Sequence, residues 1–217
     1  AFGVDTWITG VALTVLTGLV ILGGIKRIGA VAEKIVPFMA IFYLVCVVII
    51  LIVFARNIPS AFAMIISDAF TGTAAAGGFL GATVLMALQR GVARGIFSNE
   101  AGLGTAGFAQ AAGSTADPVF SGVVGMMGTF IDTIIICTLT GLAIMVTGVW
   151  STGETGAVLS SAAFETALPG YGAYLLTVSL ALFAFTTILG WAYYSEKCWE
   201  FLVGTVAEKP CRVLWTV

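Results

Sequence analysis

Apolar residues run along this chain in long blocks rather than in strict alternation with polar ones. The blocks cover residues 7–22, 36–54, 118–149 and 171–194, with the first residues of another from 211. A bilayer core of about 30 Å needs roughly twenty apolar residues in a helix, so each block predicts a membrane-crossing helix. Residues 59–94 form a block of different character. Two apolar pieces, Pro59 to Ile66 and Phe79 to Leu88, flank Ser67-Asp68-Ala69-Phe70-Thr71-Gly72-Thr73-Ala74-Ala75-Ala76-Gly77-Gly78. Each piece makes only about 12 Å of helix at roughly 1.5 Å per residue. Together they predict one crossing whose helix is interrupted within Phe70–Gly78. Such a break frees backbone N–H and C=O groups at membrane depth, which is tolerated where they line a cavity or hold a ligand. The competing reading is a helix whose small residues serve close packing.

Smaller features refine this pattern. Gly10, Thr14 and Gly18 recur every four residues and predict a helix-contact stripe. Pro37 falls early in its span, where a missing N–H costs little. Residues 95–116 read as a weakly hydrophobic connection containing Gly102-Leu103-Gly104-Thr105-Ala106-Gly107. That matches G-x-G-x-x-G literally, but no strand precedes it and no βαβ unit surrounds it, so a dinucleotide site is rejected. A polar, acidic loop through Thr155 and a short amphipathic piece to Leu168 separate the last two blocks.

Composition agrees: 59% of residues are hydrophobic and 9% charged, against roughly 25% charged in soluble domains. The mean hydropathy is +1.09. The expected fold class is therefore an all-α integral membrane protein, a single transmembrane domain over 1–217. A β-barrel would show short alternating segments instead. There is no histidine, which removes histidine metal sites, triads and proton shuttles together. Cys46, Cys137, Cys198 and Cys211 have no metal-ligand spacing, and the first two read as small packing residues. Nothing resembles a cleaved signal peptide. Treating 59–94 as one crossing puts Lys26, Arg27, Lys34, Arg90, Arg94, Lys197, Lys209 and Arg212 on one face, with Arg56 on the other. The positive-inside rule makes the shared face cytoplasmic.

Four polar features fall at membrane depth. Asp68 closes the first half of the interrupted helix, and Asp132 lies mid-span in Gly128-Thr129-Phe130-Ile131-Asp132-Thr133. An intramembrane carboxylate is costly unless paired or wetted, so both are candidate ion ligands. Asp132 could instead bond a neighbouring helix, and Asp68 could anchor freed backbone N–H groups. Thr186 and Thr187 offer oxygens to a small hard cation, or bond back to their own helix. Trp191 stands one turn beyond Thr187 on the same face. It walls a pocket or joins Tyr193 and Tyr194 in an interfacial belt.

Two longer runs carry a family resemblance. They are Gln89-Arg90-Gly91-Val92-Ala93-Arg94-Gly95-Ile96-Phe97-Ser98-Asn99-Glu100-Ala101-Gly102-Leu103-Gly104 and Thr186-Thr187-Ile188-Leu189-Gly190-Trp191-Ala192-Tyr193-Tyr194. With Glu33-Lys34-Ile35-Val36-Pro37-Phe38 and the segment around Asp132, the chain resembles the alanine/glycine:cation symporters, sodium-coupled carriers of small neutral amino acids. The resemblance implies an inverted-repeat fold of the leucine-transporter type, with site-forming helices broken near their middle. It implies that 59–94 is the second broken helix, with Phe70, Thr71, Gly72 and Thr73 in its unwound segment against the substrate. Thr186 and Thr187 would help to hold Na⁺, and Trp191 would line the substrate pocket. The expected partners are a small neutral amino acid, Na⁺ and the lipid bilayer of the cell membrane, with no nucleic acid and no cofactor beyond the coupling ion. The family's chains are about twice as long, which marks this chain as a fragment lacking the first broken helix. Gly107 and Gln110 stand where the family often has proline and a nearby histidine. Two other functions remain as alternatives: an intramembrane aspartyl protease using Asp68 and Asp132, and a non-catalytic membrane subunit.

Overall fold

Leucine, isoleucine, valine and alanine leave a backbone at membrane depth one local solution, the helix, because no water is present to satisfy its amides. The computed structural model describes residues 5–71, 80–100 and 102–216, without the side chains of residues 6, 68–71, 80–87 and 90. Among the described residues every regular element is helical. Three helical stretches are long and apolar enough to cross a membrane: Gly24–Val53, Pro118–Thr147 and Gly172–Val203. Their outward faces carry exposed Phe38, Ile41, Ile52, Val119, Phe120 and Met126. A surface of that kind suits lipid rather than water.

The chain divides into two compact units. The first comprises Ala1–Val45, Gly107–Ser114 and Ala173–Val217. Here α1 (Thr6–Ile21) turns at Leu22 and Gly23 into α2 (Gly24–Val53). Helix α2 starts well ahead of the apolar block expected from 36. The segment Ala30, Ala32, Glu33 and Lys34 consists of good helix formers with no breaker, so the polar connection is the first part of the helix. Pro37 consequently lies in the helix interior rather than near its start. Loss of one ladder bond is tolerated there, as membrane helices allow when neighbours re-satisfy the freed carbonyl. Also in this unit are the short α5 (Ala106–Ala111), α9 (Gly172–Val203) and α10 (Glu208–Thr216). The core is Val20 and Ile21 of α1, Ile28 of α2, and Leu189, Ala192 and Tyr193 of α9, flanked by Phe185 and Ile188. The α9 members follow i, i+3, i+4, i+7, i+8, the apolar stripe of an amphipathic helix. Of the predicted small-residue stripe, Gly18 meets Thr216 of α10, 3.4 Å from where a Cβ would stand, while Gly10 meets open space.

The second unit comprises Cys46–Ala106 and Thr115–Gly172. It holds α3 (Ile58–Thr71), α4 (Leu80–Ser98), α6 (Pro118–Thr129), α7 (Thr138–Thr147) and α8 (Gly156–Ala167). Asp117 caps α6, its Oδ1 accepting from the amides of Val119 at 2.9 Å and Phe120 at 3.4 Å, with Pro118 at the first helical position. That pairing satisfies donors that a helix start otherwise leaves open. Between α6 and α7, residues Phe130–Cys137 wind as a π-helix. Leu142, Ala143 and Val146 of α7 are buried, as are Ala163, Phe164 and Ala167 of α8. Asn57 Nδ2 donates to the Val146 carbonyl at 3.1 Å. Helix α3 is described to Thr71 and α4 from Leu80. The expected interruption falls mainly on 72–79, outside the described residues.

Candidate functional site

The threonine pair sits on α9. Thr186 Oγ1 donates back to the carbonyls of Leu182 at 3.1 Å and Phe183 at 3.0 Å. It also lies 3.5 Å from Met39 Sδ of α2. Thr187 Oγ1 donates to the Phe183 carbonyl at 2.8 Å. This is the back-bonding that competes with the ion-ligand reading. Each bond uses the hydroxyl proton and leaves the oxygen's lone pairs for another partner. Thr186 is half-buried and Thr187 exposed. Trp191, also half-buried, packs edge-on against Tyr194 with centroids 5.8 Å apart, and Tyr194 continues to Phe108 at 5.9 Å. The indole therefore belongs to an aromatic cluster of the first unit.

Asp132 lies in the π-helix of the second unit, and it has specific neighbours. Ser98 Oγ, at the end of α4, donates to Asp132 Oδ2. The next residues on each side also meet: Thr133 Oγ1 donates to Asn99 Oδ1 at 2.7 Å. Asn99 Nδ2 in turn donates to the Gly95 carbonyl at 3.0 Å. Cys137 Sγ stands 3.9 Å from Ser98 Oγ and 4.0 Å from Asp132 Oδ2. Thr138 Oγ1 donates to the Thr133 carbonyl, five residues back, at 3.3 Å. The wider π turn explains how adjacent Asp132 and Thr133 both address α4, and such turns occur frequently at functional sites. Ser98 and Asn99 were not singled out from sequence for this role. Cys137 is exposed beside the carboxylate rather than packed in the core, whereas Cys46 is buried.

A second polar group ties α9 to α10. Glu196 is 3% exposed and accepts a fork from Arg212: Nε to Oε2 at 2.7 Å, and one terminal nitrogen to Oε1 at 2.7 Å. Glu208 adds a longer contact to the same guanidinium at 3.2 Å. The guanidinium lies against the α1–α2 turn. A Cβ on Gly24, whose φ is +68°, would stand 3.0 Å from both terminal nitrogens. Gly24→Ala is therefore expected to cost about 1–2 kcal/mol from the left-handed backbone alone, with the crowded guanidinium adding to it. Thermal unfolding of the purified full-length protein checks this, and an unchanged midpoint would show that the turn relaxes freely.

The remaining sequence candidates carry less structure. Asp68, Phe70 and Thr71 fall in α3, with side chains outside the described parts. Gly72 and Thr73 lie outside the described residues. Thr186, Thr187 and Trp191 belong to the first unit, and Asp68, Phe70, Thr71 and Asp132 to the second. Among the described residues no group of three or more histidine, cysteine, aspartate or glutamate side chains is arranged to hold a metal.

Comparison with known proteins adds an independent finding. The family model described as the sodium:alanine symporter family matches residues 1–217. An uncharacterized transporter of Haemophilus influenzae is 47% identical over 99% of this chain and 47% of its own length. The sodium/alanine symporter AgcS of Methanococcus maripaludis is 44% identical over 100% of this chain and 48% of its own. A sodium/proton-dependent alanine carrier protein of a Bacillus species is 35% identical over 94% of this chain and 48% of its own. The chain thus spans about half the length of the curated relatives it matches. These relatives are named as transporters and not as enzymes, which does not favour the protease alternative.

Proposed function

Because this chain belongs to the sodium:alanine symporter family, we propose that the whole protein is a sodium-coupled symporter of small neutral amino acids, such as alanine or glycine, in the cell membrane. The observation that carries this reading is the polar cluster around Asp132. A carboxylate, two hydroxyls and an amide meet where a long apolar span turns π-helical. Ionisable groups inside a span are costly and mark ion or substrate pathways.

In this reading the architecture is an inverted repeat of the leucine-transporter type, and the chain supplies part of the site. Phe70, Thr71, Gly72 and Thr73 offer backbone groups to the amino acid, and Trp191 limits the size of its side chain. Thr186 and Thr187 give oxygens to Na⁺, with Asp132 and Asp68 as further ion-binding carboxylates. The ion favours one conformation, and linkage then makes ion and amino acid raise each other's affinity. The named substrates of the alanine carriers above support the choice of substrate class. The test is uptake of labelled alanine by the full-length protein in proteoliposomes. An inward Na⁺ gradient is expected to drive accumulation, and equal uptake with choline replacing Na⁺ would refute the reading.

A further inference from the structure

We infer that Ser98 at the end of α4 and Asn99 just beyond it, with Asp132 and Thr133 of the π-helix, form a binding site for Na⁺ that is separate from the threonine pair of α9. The inference rests on the symporter reading for the choice of ion; the site itself rests on geometry. Two successive residues on each element meet, Ser98 with Asp132 and Asn99 with Thr133, so oxygens from both elements gather at one place. Their lone pairs are not used up. Ser98 Oγ and Thr133 Oγ1 act as donors in these bonds and keep acceptor capacity. Asn99 Oδ1 accepts one bond and has room for another, and Asp132 keeps a second carboxylate oxygen. Asn99 is held with its oxygen toward the π-helix by donating Nδ2 to Gly95. Thr138 caps the Thr133 carbonyl, which fixes the widened turn.

The ligand chemistry follows from the donor set. All four side chains offer oxygen, the preference of hard cations. One carboxylate among neutral oxygens balances a single positive charge, whereas divalent sites gather several carboxylates or retain water. Among the described residues, the ion pairs join Lys197 to Glu200 and Arg212 to Glu196 and Glu208. None of them neutralises Asp132, and a carboxylate in a span calls for a counter-charge.

Cys137 provides a reporter that needs neither substrate nor transport. Its sulfur is within 4.0 Å of Asp132 Oδ2 and 3.9 Å of Ser98 Oγ, so an ion there screens it from a thiol reagent. The experiment uses the full-length protein with Cys137 as its one cysteine, labelled by a small methanethiosulfonate in NaCl or choline chloride without alanine. NaCl is expected to slow labelling of Cys137. Asp132→Asn and Ser98→Ala should each raise the half-protecting Na⁺ concentration about ten-fold or more, while Thr166→Val, at an exposed threonine of α8 that only bonds back to the Ala162 carbonyl, leaves it within about two-fold. Labelling that ignores Na⁺, or protection that is lost in Thr166→Val or kept in Asp132→Asn, overturns the site. Absence of Na⁺-driven alanine uptake would defeat the symporter reading while leaving the protection result intact, so the two failures are distinguishable.

Discussion

Arg212→Met is expected to destabilise the full-length protein by about 3–5 kcal/mol, the scale for leaving one member of a buried ion pair without its partner. Glu196 is 3% exposed and takes both of its close charged bonds from Arg212. Methionine preserves much of the side-chain volume, so the loss reports the stranded carboxylate rather than a cavity. Glu196→Leu should cost less, because Arg212 retains Glu208 at 3.2 Å and its side chain is 19% exposed. The double variant, Glu196→Leu with Arg212→Met, should recover most of the stability, since an apolar pair can replace a buried salt bridge at little cost. Unfolding of the purified proteins in detergent, followed by tryptophan fluorescence, gives all four corners of the cycle. A double variant as unstable as Arg212→Met would mean that the guanidinium stem packs the α9–α10 joint, and that the charges contribute little.

Thr187→Val should raise the half-saturating Na⁺ concentration for alanine uptake about ten- to hundred-fold, whereas Thr187→Ser should shift it far less. Valine keeps the branched shape and removes the oxygen, and serine keeps the oxygen and removes a methyl. The loss of one neutral ligand to a desolvated cation is on the order of 1–3 kcal/mol, taking the scale for an unmade buried polar contact. The hydroxyl's bond to the Phe183 carbonyl at 2.8 Å makes the comparison informative. That bond orients the proton inward along the helix, so the lone pairs face away from it. Equal Na⁺ dependence in the serine and valine variants would assign the hydroxyl to its own helix and move the ion elsewhere.

The sequence by itself determined that the chain is helical and membrane-embedded, because lipid admits only helices and closed barrels and the long unbroken apolar blocks lack the short alternating segments of a barrel. It also located Asp132 as an exception inside such a block, and it supplied the family through runs around Ser98 and Trp191. Capping of α6 by Asp117 ahead of Pro118 was equally local, although nothing in the block pattern drew attention to it. Three things were decided only by tertiary structure. Ser98, the partner of Asp132, lies 34 residues away at the end of another helix, and spacing along one chain carries no signal for that meeting. The π-helical winding over Phe130–Cys137, which presents Asp132 and Thr133 together to Ser98 and Asn99, is likewise not announced by residue types that suit any apolar span. The fork between Glu196 and Arg212 needs α10 folded back beside α9 and a glycine at Gly24 to admit the guanidinium. Local periodicity reports which face of a helix is apolar, whereas the pairing of polar groups is a property of which helices become neighbours.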